Sequence, residues 1–75
     1  MSQETRNHQE LVASIFYDQS YRTEIFDDEI TVKVSLNHRK ITADEIETVI
    51  DDEGIDELVE IRTNGDGTFN VIIID

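Results

Sequence analysis

The chain has 75 residues, enough for one small domain, and eighteen acidic residues against six lysines and arginines give it a formal net charge of −12. It contains no cysteine, which excludes disulfides and thiolate metal sites. A strongly negative surface also argues against direct binding to nucleic acid or to an anionic membrane.

The apolar residues, 37% of the chain, recur in periodic segments, so we predict a single folded domain over residues 1–75 with residues 1–6 disordered. No basic start followed by an apolar run marks a secretory signal, and no apolar run is long enough to span a bilayer. The sequence therefore predicts a cytoplasmic protein.

The first half of the chain predicts a helix followed by a β-hairpin. Asn7 and Glu10 form a plausible capped helix start, and the spacing of Leu11, Val12, Ile15 and Phe16 predicts that they share one helix face through about Tyr17. Residues 21–26 have strand composition, residues 27–29 form a polar turn, and apolar and polar residues alternate from Ile30 to Leu36.

The second half repeats this order with clearer signals. Thr42 and Glu45 fit a capping box, Ile41 and Ile46 fit a hydrophobic staple, and Gly54 fits a left-handed helix terminator. These signals predict a helix over about 43–53. Residues 58–63 and 69–74 are predicted strands joined by the turn Asn64–Thr68.

These elements predict an α+β fold, made of two helix–hairpin (αββ) units. Their strands would form a four-stranded, mainly antiparallel sheet with both helices packed on one face. Leu11 and Ile15 would be equivalent to Ile46 and Ile50. Whether the halves reflect a duplication is left open.

The last strand is apolar on both faces, although a sheet covered on one side needs apolar residues only at alternate positions. If Phe69, Val71 and Ile73 face the helices, Ile72 and Ile74 point away from them. We predict Ile72 and Ile74 as a self-association surface of a homodimer; coverage by the chain ends or by a bent sheet is the alternative.

The sequence offers no pattern of catalytic or metal-ligating residues. The segment NGDGT (64–68) lacks the ligand spacing of a calcium loop and predicts a hairpin turn, and the two histidines, His8 and His38, lie far apart. The basic loop 37–40 could grip a phosphate or could be solvated. We therefore expect no enzyme activity, no cofactor and no metal, although the chain could be an accessory subunit of an enzyme.

The predicted second helix carries acids where its dipole favours cations. Asp44, Glu47 and Asp51 are spaced to lie together away from Ile46 and Ile50, and residues 44–60 hold nine acids and no base. Each anion in the last turn costs about 0.3–1 kcal/mol at low salt. We nominate Asp44, Glu47 and Asp51 as a surface for a cationic partner.

Two explanations account for the acids. In composition, with abundant Asp and Glu, scarce Lys and more Arg than Lys, the whole chain resembles cytoplasmic proteins of salt-in halophiles such as haloarchaea. That resemblance implies a surface that stays hydrated in concentrated potassium chloride and identifies no specific family. Alternatively, carboxylates spaced along a helix imitate nucleic-acid phosphates and block a cationic DNA- or RNA-binding protein. In either case we expect a small non-enzymatic protein that acts through protein–protein contact with an unknown partner.

Overall fold

The computed structural model describes residues 3–26 and 30–74 and has the predicted α+β architecture. Its elements, in chain order, are helix α1 (Gln3–Asp18), strands β1 (Arg22–Phe26) and β2 (Thr31–Ser35), helix α2 (Ala43–Glu53), and strands β3 (Val59–Thr63) and β4 (Phe69–Ile73). The turn predicted at residues 27–29 lies outside the described residues. Neither described helix is long and apolar enough to cross a membrane.

The four strands form one antiparallel sheet in the order β1-β2-β4-β3. Each αββ unit contributes one hairpin, and the two hairpins meet where β2 pairs with β4. Strands β1 and β3 are therefore the edges of the sheet, and each is the strand that follows the helix of its own unit.

The core lies on the face of the sheet defined by the alternate residues of the two central strands. Val32 and Val34 of β2 and Val71 of β4 are fully buried, as the predicted alternation requires, but Thr31, predicted on the polar face of β2, is also buried. The same apolar cluster contains Val12 and Phe16 of α1 and Ile46 and Ile50 of α2. A shared cluster agrees with the prediction that both helices pack on one face of the sheet.

The predicted start of α1 was wrong. The helix begins at Gln3 rather than near Asn7, and Gln3–Arg6, predicted to be disordered, form its first turn. The reason is that Thr5 and Gln9 are polar yet almost completely buried, in line with Val12 and Phe16 at helical spacing. Two polar residues in the core-facing stripe conceal the helix pattern in the sequence.

The predicted equivalence between the two helices was also wrong by one residue. Leu11 is 45% exposed, whereas Val12 and Phe16 are buried. Val12 and Phe16 therefore correspond to Ile46 and Ile50, because both pairs are four residues apart and both belong to the core.

Helix α2 matches its predicted bounds, and both predicted ends are confirmed. Thr42 and Glu45 form a reciprocal capping box. Gly54 adopts the left-handed conformation with φ 69°. The N–H of Ile55 then donates to Ile50 O over 3.1 Å, which closes the helix as a Schellman motif does.

Candidate functional site

The N-terminus of α2 is fixed by the carboxylate of Glu45. This carboxylate accepts hydrogen bonds from the backbone N–H of Thr42 at 2.8 Å and from the Tyr21 hydroxyl at 2.6 Å. It also forms a two-point contact with the Arg39 guanidinium at 2.6 and 2.8 Å. The loop before α2 and the start of β1 are thereby tied to one helix end.

This network stabilises the charged form of Glu45. The Arg39 guanidinium, together with the donors Tyr21 and Thr42, lowers the pKa of Glu45 to about 2. Contact with the carboxylate raises the pKa of Arg39, and burial, then the bond to Glu45, raises the pKa of Tyr21. The Arg39 guanidinium therefore donates to Glu45. This contact competes with the phosphate binding considered for the basic loop 37–40.

The three predicted partner residues, Asp44, Glu47 and Asp51, are all exposed on α2. We call them the α2 acidic surface. Within residues 3–26 and 30–74 the Arg39–Glu45 contact is the sole salt bridge, so no described base neutralises this surface. The last turn of α2 contains no basic residue, and the unfavourable interaction of Asp51 with the helix dipole remains uncompensated.

A groove of about 370 Å³ runs between α2 and the edge strand β3. We call it the α2–β3 groove. Its apolar part comes from Ile50, Val59 and Ile61, and its acidic part from Glu47, Asp51 and Asp56. The α2 acidic surface therefore extends at Glu47 and Asp51 into a concave, partly apolar site, which sequence reasoning missed because the groove depends on how α2 and β3 pack.

The predicted self-association residues lie on the opposite face of the sheet. Ile72 is half-buried and Ile74 is 38% exposed, whereas Val71 and Ile73 on either side of Ile72 are buried. The register places Ile72 between Thr31 of β2 and Glu60 of β3.

The neighbouring residues on this outer face are mixed in character. Residues that are paired across neighbouring strands form a row across the sheet. Phe26, which is 38% exposed, pairs with Thr31 and therefore lies in the same row as Ile72. The next row, defined by the strand register, holds charged and amide side chains: Glu24, Lys33, Asn70 and Arg62. Ile74 lies one row further along β4 on the same face, so the apolar part of the outer face extends from Phe26 and Ile72 to Ile74 and ends at the charged row.

The NGDGT segment forms the predicted hairpin turn. The Asp66 carboxylate accepts from the N–H of Thr68 at 3.0 Å and from its hydroxyl at 2.6 Å, which lowers the pKa of Asp66. Gly67, with φ 89°, packs directly against Lys40, and its carbonyl accepts from the N–H of Ile41 at 2.9 Å. The turn thus contacts the segment that leads into α2.

Among the residues that the structure describes, no group of three or more histidine or carboxylate side chains is placed to hold a metal ion. His38 is exposed, as expected. His8 is half-buried on α1, and its Nδ1 is a buried atom with no hydrogen-bond partner in the described part of the chain.

Gln9 is a further residue whose role the sequence does not reveal. Its side-chain amide donates to two carbonyls at the end of the first hairpin, those of Phe26 and Thr31, each at 3.2 Å. Buried carbonyls need such donors, so Gln9 connects α1 to the β1–β2 hairpin.

Comparison with known proteins found no matching family model, no matching curated protein and no matching solved structure.

Proposed function

We propose that the chain is a non-enzymatic protein that acts through protein–protein contact and binds a cationic partner at the α2 acidic surface. The observation that carries this proposal is the exposure of Asp44, Glu47 and Asp51 without a described basic neighbour. Carboxylates that repel one another lower the stability of the free protein, and a cationic partner would relieve that repulsion.

The uneven distribution of charge supports a localised surface. Residues 1–42 contain seven acids and five bases, for a net charge of −2, whereas residues 43–75 contain eleven acids and Arg62 alone, for a net charge of −10. A general adaptation of the surface does not require such a difference between halves.

Imitation of nucleic acid is one form of this proposal. From helix geometry, Asp44 and Glu47 are about 4.5 Å apart along the axis and Glu47 and Asp51 about 6 Å, a spacing compatible with successive phosphates. The partner would then be a DNA- or RNA-binding protein with a cationic groove. An accessory role in an enzyme would use the same surface to bind the catalytic subunit.

The composition supports a second proposal, that the acids keep the protein hydrated in concentrated salt. In molar salt the Debye length falls to about 3 Å, and the repulsion within α2 largely disappears. A cytoplasm rich in potassium chloride would provide this condition, and the acids would then indicate the solvent and not a partner. Ile72 and Ile74 remain a separate proposed contact between two copies of the chain.

The experiment that tests the proposed function is affinity capture from an extract of the source organism with two matched variants. The first variant, Asp44→Asn/Glu47→Gln/Asp51→Asn, neutralises the α2 acidic surface. The second, Glu4→Gln/Glu10→Gln/Asp18→Asn, makes the same change of charge at three exposed acids of α1. We expect a basic protein that the wild type and the α1 variant retain and the α2 variant loses. Equal retention by both variants would contradict the proposal.

A further inference from the structure

Strand β3 has one row of backbone hydrogen-bonding groups without a partner in the described structure. Ile74 donates to Leu58 O, and Asn64 donates to Thr68 O, each of these bonds joining β3 or its end to β4. In an antiparallel ladder, residues bonded to the neighbouring strand alternate with residues that point away from it. Leu58, Glu60, Arg62 and Asn64 therefore face β4.

The intervening residues, Val59, Ile61 and Thr63, direct their N–H and C=O groups away from β4, towards the open edge of the sheet. Edge strands are commonly blocked by proline, by a bulge or by a covering segment. Strand β3 contains no proline, and its pairing with β4 runs from Val59 to Thr63 without interruption. None of these three features blocks this edge in the described residues, although Glu60 and Arg62 of β3 are charged.

The α2–β3 groove lies beside this open edge. Val59 and Ile61, whose backbone groups point outwards, also line the groove with their side chains. A strand added to β3 would lie about 4.8 Å from it, and every second side chain of that strand would enter the groove. The carboxylates of Glu47, Asp51 and Asp56 border the space that these side chains would occupy.

The residues that line the α2–β3 groove favour lysine or arginine at the positions of the added strand whose side chains enter the groove. The aliphatic part of a long basic side chain packs on an apolar surface while its charged end reaches an acid. In this groove the aliphatic part would contact Ile50 and Ile61, and the charge would reach Glu47 or Asp51. A second copy of the chain would instead place its own acidic α2 near this groove, and the two surfaces would repel each other.

The equivalent position in the first αββ unit differs in these respects. The pocket between α1 and β1 is smaller, about 250 Å³, and is lined by Arg6, Gln9, Glu10 and Ile25. This pocket has one apolar residue, Ile25, and its two charged residues, Arg6 and Glu10, have opposite signs. Charge complementarity therefore favours the β3 edge.

We propose that an extended, lysine- or arginine-rich segment of the partner protein adds to β3 as a fifth strand and places its basic side chains in the α2–β3 groove. This inference rests on the proposed function, because it specifies how the cationic partner binds. Main-chain hydrogen bonds to Val59, Ile61 and Thr63 provide affinity, and the groove selects the basic side chains.

The test uses the full chain and two synthetic peptides of about eight residues, the usual upper range for a strand. One peptide alternates lysine with valine. The other has the same sequence and charge but carries N-methyl groups on the backbone amides that would bond to β3. Amide hydrogen exchange of the protein is followed by NMR at low salt, with and without each peptide.

We expect the unmodified peptide to slow exchange at Val59, Ile61 and Thr63 by at least about tenfold, since these amides lack partners in the free protein. Glu60 and Arg62, already bonded to β4, should change much less. The methylated peptide should not protect the three amides, and it should bind about tenfold more weakly or worse.

Equal protection by the two peptides, or protection by neither, would overturn strand addition. Concentration-dependent protection of the same amides in the free protein would also overturn it, because the occupant would be a second copy. If strand addition fails while the α2-neutralised variant still loses its captured partner, the proposed function stands. If that variant loses no partner, the proposed function fails whatever the peptides show.

Discussion

Replacing Glu45 should destabilise the domain more than any other acid substitution on α2. The Glu45 carboxylate accepts one backbone hydrogen bond of the capping box, one from Tyr21 and two from Arg39. The capping contribution is about 1 kcal/mol, and the hydroxyl bond adds about 1 kcal/mol. The Arg39 pair adds little to this sum, because the arginine side chain is 49% exposed and screened by solvent.

We therefore expect Glu45→Ala to lower the free energy of unfolding by about 2 kcal/mol, since these contributions are not fully additive. For a domain whose stability is about 5 kcal/mol, that is a large fraction. Urea unfolding monitored by circular dichroism measures it directly. With an m-value of about 1 kcal/mol/M, the midpoint should fall by roughly 2 M.

Glu47→Ala is the matched control, because Glu47 lies on the same helix, is exposed and has no described ion-pair partner. We expect it to change the free energy of unfolding by no more than about 0.5 kcal/mol. If the two alanine variants unfold at the same urea concentration, the Glu45 network does not stabilise the domain and the reasoning is wrong.

The same network predicts a pH dependence with a defined sign. The pKa of Glu45 is about 2 in the folded protein and about 4.3 in an unfolded chain. A lowered folded pKa means that the contribution is fully present above about pH 5 and is lost as the pH falls towards 2. The stability difference between wild type and Glu45→Gln, measured in urea at each pH, should shrink over that range. A constant difference down to pH 2 would contradict this assignment.

Three further predictions concern other parts of the fold. Gln9→Leu should lower the free energy of unfolding by about 2 kcal/mol, because the hydrogen bonds from its buried amide to two hairpin carbonyls are lost; an unchanged urea midpoint would show that these two bonds do not stabilise the domain. Gly67→Ala should destabilise more than Gly65→Ala in thermal unfolding, because both glycines have positive φ but only at Gly67 would a Cβ clash with a neighbouring side chain. If Ile72 and Ile74 form a homodimer contact, their joint replacement by threonine should reduce the mass measured by light scattering to that of a monomer; an unchanged mass would refute that contact.

The second αββ unit could be predicted closely because each of its signals acts locally. The capping box of Thr42 and Glu45 and the terminator Gly54 satisfy backbone groups within a few residues, so they specify the ends of α2 without knowledge of the rest of the fold. The apolar stripe of Ile46 and Ile50 is likewise uninterrupted by polar residues, and the predicted bounds of α2 were correct.

Helix α1 could not be predicted as well because its pattern depends on distant partners. Gln9 is buried where its side-chain amide donates to two carbonyls of the β1–β2 hairpin, and nothing near Gln9 in the sequence indicates that contact. Thr5 lies one turn earlier and is also buried, so a helix start placed at Asn7 omits the first turn.

In the candidate site, too, the features that depend on local spacing could be predicted, and those that depend on the packing of distant elements could not. The exposure of Asp44, Glu47 and Asp51 follows from helical spacing alone, and the sequence predicts it. The α2–β3 groove and the open edge of β3 require the strand order, in which β4 and not β3 lies beside β2. A sequence pattern gives the strands but not which of them lies at the edge.

We propose that the α2 acids serve to bind a cationic partner and that the fold does not depend on concentrated salt. Urea unfolding of the wild type and of Glu47→Gln/Asp51→Asn, from about 0.1 to 3 M potassium chloride, tests it most directly. We expect the wild type to be folded at 0.1 M and the variant to be more stable there by about 1 kcal/mol, because the repulsion between the two acids and the unfavourable dipole interaction of Asp51 are removed. That advantage should disappear at 3 M. If the wild type is instead largely unfolded at 0.1 M and its urea midpoint rises steeply with salt, the acids are an adaptation to concentrated salt and not a surface for a cationic partner.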